Sequence, residues 1–374
     1  MSPKDMKRLL IDDAADHITR AGVAGSAANI LPNGSILVVT RSGILSHSLP
    51  VAKTLRSVAI NQDMKALVAE KDYDPDFLLY ALRAYEDSIL QQCRKSGTTV
   101  ANLDTDRFLS FGIPIPPYDE QRRIVDKLDG LIGRSKTIRE ELAHLPRLFE
   151  RHKQAVLSAA FQGVLTQEDA DKWQVVPLGE IISEIHAGKN VRCDERPPRP
   201  GERGIVKVSS VSWGTFNPLA AKTPSSTTPL NKSTVIEPGD FLLSRANTLE
   251  LVGACVIVGS LDHNNLYLSD KVLRIRFSQP IEEWVLCFLR SKEGRAQIEN
   301  LATGNQLSMR NISQTAIKAI RMPLPPNEVR ECVLDRVRKA LASVEEALRE
   351  AARASELLDR LDQATLAKAF AGNL

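Results

Sequence analysis

Ile113-Pro114-Ile115-Pro116-Pro117-Tyr118-Asp119-Glu120-Gln121-Arg122-Arg123-Ile124-Val125 returns in altered form as Met322-Pro323-Leu324-Pro325-Pro326-Asn327-Glu328-Val329-Arg330-Glu331-Cys332-Val333-Leu334. A proline pair cannot lie inside a helix and holds the chain before it extended. Each double proline therefore punctuates the chain, with a folded domain before it and a helix after it. The first helix carries a seam at Ile124, Leu128, Leu131, Ser135, Ile138, Leu142, Leu145, Phe149, His152, Val156 and Ala159. The second carries one at Leu334, Val337, Leu341, Val344, Leu348, Ala351, Ser355, Leu358, Asp362, Thr365 and Ala369. Steps of four and three sustained over about five heptads make a coiled-coil pattern, narrower than an ordinary surface stripe. About 40 helical residues would make a rod of roughly 60 Å. Two such helices can satisfy each other's seams, and Pro146 is expected to kink or break the first.

Four further pairs of segments repeat in the same order. Gly34-Ser35-Ile36-Leu37-Val38-Val39-Thr40-Arg41 matches Gly239-Asp240-Phe241-Leu242-Leu243-Ser244-Arg245, a turn glycine leading into an apolar strand that ends in a hydroxyl residue and an arginine. Phe77–Arg83 matches Trp284–Arg290, an amphipathic helix in both. Ser96-Gly97-Thr98 matches Thr303-Gly304-Asn305, and Ala160-Phe161-Gln162-Gly163 matches Ala369-Phe370-Ala371-Gly372. The offset drifts only from about 205 to 209 residues, so the chain is a duplication. The expected fold is α+β: two α/β domains in tandem, each followed by a long helix, with the helices pairing as an antiparallel coiled coil. The expected boundaries are 1–118 for the first domain, 119–163 for its helix, 172–326 for the second domain and 327–374 for its helix.

The 374 residues carry 49 basic and 46 acidic side chains, a net charge of only +3. Any nucleic-acid surface must then be local, with acidic residues placed elsewhere. Five dispersed cysteines without a CxxC pair read as reduced thiols in a cytoplasmic protein. No histidine spacing suits a metal, and no apolar run suits a membrane span.

The proline-turn helix starts, the helix ends Ser158–Leu165 and Ala367–Leu374, the domain opening Trp173–Glu180 and the segment Ile60–Leu67 together resemble the DNA-specificity subunit of type I restriction–modification systems. The resemblance covers nearly the whole chain. It implies two target-recognition domains, each reading one half of a split, asymmetric site in double-stranded DNA. It implies paired helices that set the gap and dock two methyltransferase subunits, with restriction/translocase subunits joining them. The subunit itself is expected to be non-catalytic and to hold no cofactor, with S-adenosylmethionine, ATP and Mg in the partner subunits.

The residues agree with a non-catalytic reading. Adenine-N6 methyltransferases use Asp or Asn, then Pro-Pro and an aromatic residue, to hold a flipped base. Here Ile115 occupies the first position and accepts nothing, and Leu324-Pro325-Pro326-Asn327 also lacks the ring. No glycine-rich phosphate loop is present. A coiled-coil scaffold that binds proteins, and an autonomous methyltransferase, are the competing readings.

Recognition of DNA needs cations and amides for phosphates, and side chains that reach base edges. The candidates are Thr40, Arg41 and Ser42 with Ser244, Arg245 and Asn247 at the strand ends, where each arginine either meets DNA or pairs with a carboxylate. Lys95, Gly97 and Thr98 with Gly304, Asn305 and Gln306 form glycine loops suited to phosphate contact or to helix capping. Gln62 and Lys271 flank them, and Lys207, Ser209 and Trp213 are looser candidates. The run Arg192–Arg203 reads as a mobile basic loop or a solvated turn. Aligning Gly34 with Gly239 puts the counterpart of Trp173 about thirty residues before Met1. The first domain is thus expected to lack the segment that corresponds to Trp173–Arg203.

Overall fold

The computed structural model describes residues 1–26, 28–95, 100–167, 169–212, 214–261, 265–306 and 309–374, without the side chains of Asn305 and Gln306. The chain divides into two compact units, Met1–Leu145 with Glu350–Leu374, and Pro146–Arg349. Each unit holds one domain and a length of both long helices, Tyr118–Phe161 and Asn327–Phe370. The first helix runs unbroken through Pro146.

In the first unit a four-stranded sheet runs Leu10–Ile11, Val51–Thr54, Ile36–Val39, Met64–Leu67. The outermost pair is parallel and the others antiparallel, with Ile36 opposite both Lys53 and Leu67. Ile36, Leu37, Val38 and Val39 have no exposed surface. Their unbroken apolar run reads as a strand covered on both faces, where a half-buried strand would alternate. Helix Pro75–Ala84 starts at Asp74, whose carboxylate accepts the N–H groups of Asp76 and Phe77. It is buried on two faces. Leu79 and Leu82 join the core of the sheet, whereas Phe77, Tyr80 and Ala81 pack with Ile124, Val125, Leu128, Leu366 and Ala369 of the long helices.

The second unit repeats this plan and adds to it. Its first sheet runs Cys255–Ile257, Phe241–Ser244, Val272–Phe277, Ile182–Ala187, antiparallel throughout. A second sheet orders Leu266–Tyr267, Gly204–Val206, Ala221–Pro224 and Cys193–Asp194. Helix Glu282–Arg290 occupies the place of Pro75–Ala84. Its Trp284 is fully buried, donates its indole N–H to the Pro323 carbonyl at 2.9 Å, and meets the Phe161 ring at a centroid distance of 4.7 Å. Gly34 and Gly239 both adopt positive φ, 84° and 88°, so the repeated glycine turn is a repeated left-handed backbone position.

Within each unit the two long helices run antiparallel. Arg139 pairs with Asp359 and Asp362 in the first unit. In the second, Leu157, Ala160 and Phe161 share a core with Val333, Leu334 and Val337. The expected seam needs correction at two positions. Leu131 and Ile138 are 42% and 47% exposed, and their neighbours Ile132 and Arg139 turn inward instead. The reason is polar. Asp362 is buried at a seam position, and a buried carboxylate needs a cation, which Arg139 supplies at 2.8 Å.

Two outcomes follow from this packing. Phe161→Ala removes the ring seated between Trp284 and Phe288, and is expected to lower the unfolding free energy by about 3–5 kcal/mol in chemical denaturation. Burial pushes the Cys255 thiol to about 11 and the Cys287 thiol to about 12. At pH 8 a thiol-specific reagent should therefore modify exposed Cys332 quickly, and those two only after unfolding.

Candidate nucleic-acid interface

In the second unit, strand Phe241–Ser244 delivers the chain to a polar edge. The Arg245 N–H donates to the Lys271 carbonyl at 2.9 Å, and the Ile312 N–H donates to the Arg245 carbonyl at 2.9 Å. Arg245 is thereby fixed between the start of strand Val272–Phe277 and the hairpin strands Thr303–Gln306 and Met309–Asn311. Ala246 pairs with Asn311 and Asn247 with Arg310, which brings Arg310 to the same edge. The sequence alone gave no reason to single out Arg310. Among the described residues, Arg245, Lys271 and Arg310 have no carboxylate partner. Gly304 is exposed at φ 130°, where a Cβ would come within 2.6 Å of the Met309 carbonyl, so the neighbouring strand approaches this position closely only because it is a glycine.

The first unit builds the same edge from different residues. Thr40 and Arg41 both donate their N–H groups to the Asp63 carbonyl, and the Leu103 N–H donates to the Thr40 carbonyl. These bonds put Thr40 at the backbone position of Arg245, and Arg41, which bridges to Asn102, at that of Ala246. The matching of Arg41 with Arg245 is therefore one residue out of register, because the first copy carries one more residue between its glycine and its arginine. Neighbouring strand residues face opposite ways, so the two arginines are not presented alike. Asp63 occupies the place of Lys271, which reverses the charge there.

Three candidate contacts are committed inside the fold. Thr40 is 5% exposed and donates its hydroxyl to the Asp63 carbonyl, and Ser244 is fully buried against the Ala246 carbonyl. Both lie beneath the surface because the strand end is covered by the next turn of chain. Asn247 donates to the Ser212 hydroxyl at 3.1 Å and accepts the Thr248 N–H at 2.9 Å, so both ends of its amide are occupied. Ser42 caps the short turn Gly43–Ser46. Arg41, Gln62 and Lys95 are exposed, while Gly97, Thr98 and Trp213 lie outside the described residues.

The basic run is tied to its surroundings by Arg196 and Arg203. Arg196 forms a two-pronged pair with Glu202, and Arg203 donates to the carbonyls of Ser225, Ser226 and Thr228. Arg196 and the Arg199 N–H hold the Glu202 carboxyl down at about 2. Lys207 and Ser209 instead line a cavity of about 350 Å3 together with Lys189, Glu195, Lys222 and Lys271.

The proline turn that resembles a methyltransferase motif is structural. Buried Gln121 donates to the carbonyls of Asp72 and Pro116 and accepts the Asp74 N–H, which ties the turn to the start of helix Pro75–Ala84. No group of three or more potential metal ligands occurs among the described residues, and none of their helices is long and apolar enough to cross a membrane.

Residues 8–147 match the type I restriction modification DNA specificity domain. The chain also resembles specificity subunits of type I restriction enzymes over parts of its length. It is 37% identical over 155 residues to the specificity subunit of the Escherichia coli type I restriction enzyme EcoR124I/EcoR124II, covering 41% of this chain and 38% of that one. It is 28% identical over 292 residues to the EcoKI specificity subunit of Escherichia coli strain K12, covering 75% and 61%. The chain thus spans less than two thirds of these relatives. A chain solved in work on complex assembly and conformational transition of the type I R-M system shares the fold, with a TM-score of 0.70 and 22% identity over 93% of this chain and 85% of that one.

Because Asn247 serves the fold, Asn247→Ala is expected to cost about 1 kcal/mol of stability through two lost hydrogen bonds. A chemical denaturation midpoint that does not move would show that its amide is free.

Proposed function

We propose that this chain is the sequence-specific DNA-binding specificity subunit of a type I restriction–modification complex, reading a bipartite, asymmetric site with its two domains. The observation that carries this reading is the repeated edge. Each domain ends its central buried strand at a backbone position held by two further segments, and in the second unit Arg245, Lys271 and Arg310 converge there without a carboxylate partner among the described residues. A rigid strand end can present an arginine to a base edge with little ordering cost, and lysines beside it suit phosphates. The match of residues 8–147 to the DNA specificity domain supports the same substrate class.

The long helices are proposed to dock two methyltransferase subunits, with restriction/translocase subunits joining that assembly. Leu131, Ile138, Leu148, Leu357 and Leu361 remain 42–61% exposed along them. Apolar side chains repeated on a helix pair that has already buried its seam suit a protein partner. S-adenosylmethionine, ATP and Mg are assigned to the partners, and this chain is proposed to supply recognition without chemistry.

The recognised sequence can be found by mapping modified bases in a host that carries the complete system. Purified with its methyltransferase partner, the chain should bind that split duplex in preference to a scrambled one at physiological salt. Arg245→Ala should weaken cognate binding by about 1–3 kcal/mol, and Lys271→Gln should lower the salt slope by about one phosphate contact. Equal affinity for cognate and scrambled duplexes would sink the proposal.

A further inference from the structure

The cavity beside the Arg245 edge contains an arrangement that DNA binding alone does not explain. Glu195 follows strand Cys193–Asp194 and sends one carboxylate oxygen to each of two ammonium groups. Its Oε2 lies 3.2 Å from Lys207 Nζ, and its Oε1 accepts from Lys222 Nζ. The sheet places all three: Ile205 pairs with Lys222, Thr223 pairs with Asp194, and the Lys207 N–H donates to the Ala220 carbonyl. Lys207 Nζ also donates to the backbone carbonyl of Glu195 at 3.2 Å, a bond that does not involve the carboxylate.

Two oxygens of one anion shared between two lysines is the arrangement a backbone phosphate would adopt on the same pair. The Glu195 side chain is 71% exposed, against 31% for Lys207 and 38% for Lys222. The lysines are thus the fixed half of the cluster, and the carboxylate is the half free to leave. Hydrogen bonds from Lys222 and Lys207 hold its carboxyl below the usual range, so it is anionic at neutral pH. Lys189, Ser209 and Lys271 line the same cavity, with Asp270 as the other acidic group. The surroundings remain cationic when Glu195 swings out.

We propose that Glu195 occupies the seat of a DNA phosphate on Lys207 and Lys222, and that duplex must displace it, so that Glu195 restrains sequence-independent binding by the second domain. This rests on the DNA-reading function proposed above. Two ammonium groups without their carboxylate would bind any duplex, whereas the restraint leaves the balance to contacts that read bases.

The test is a salt titration of the full chain purified with its methyltransferase partner, using a random-sequence duplex of about 30 base pairs and the mapped cognate duplex. Glu195→Gln keeps the shape of an exposed side chain and removes its charge. Expected is a plot of log affinity against log salt that steepens by about one to two units, with random duplex bound about three- to tenfold tighter at about 0.1 M salt. The cognate-to-random ratio should fall, and Lys207→Gln with Lys222→Gln in the same chain should abolish the gain. An unchanged slope overturns the inference. So does weaker random binding, which would instead make Glu195 a direct contact to DNA. Wild-type cognate preference with an unmoved slope overturns only this inference, whereas no duplex binding by any variant overturns the recognition function as well.

Discussion

The contact between Phe161 and Trp284 is where the first long helix meets the domain that comes after it. Trp284 has no exposed surface, Phe161 and Trp173 meet its ring edge-on, and its indole N–H donates to the Pro323 carbonyl. Large buried aromatics contribute several kcal/mol each by burial. The helix that carries Trp284 therefore cannot choose between the sheet and the long helices. It must serve both. In the first unit Phe77 does the same work, and Phe370 packs on it at 5.2 Å. The short helix is thus a wedge whose two buried faces fix a sheet against a helix pair in each unit.

This wedge explains why the recognition edge lies where it does. With both faces of the buried strand covered by packing, only strand ends and the loops joined to them remain for contact. The backbone bonds from Arg245 to Lys271 and from Ile312 to Arg245 then hold three chain segments in one cluster. Precision comes from the buried strand and charge from the loops. That division of labour also accounts for the near-neutral net charge, since the cations that matter are gathered locally.

The polar layer in the first unit shows the same logic in the helices. Arg139 reaches Asp362, and Tyr80 donates to Asp129 at 2.6 Å beside them. A buried ion pair of this kind adds little net stability, yet any other helix register would leave Asp362 unpaired. Arg139 thereby displaces Ile138 from the seam, an apolar position lost to satisfy a charge.

The duplication, the order of strand, helix and turn, and the two long helices were legible in the sequence, because periodicity and proline punctuation are local properties of the chain. The turn glycines and the proline turns were legible for the same reason, since they answer to backbone geometry alone. What tertiary structure decided was which polar side chains remain available. Thr40 and Ser244 lie under the next turn of chain, Asn247 is occupied by Ser212, and Arg41 stands one residue away from the place of Arg245. Hydrogen-bond register across a sheet depends on strands far apart in sequence, and a single extra residue reverses the face a side chain occupies. Glu195, Lys207 and Lys222 come together for that reason too. They lie on or just past the ends of three separate strands, and only the pairing of those strands makes them one site.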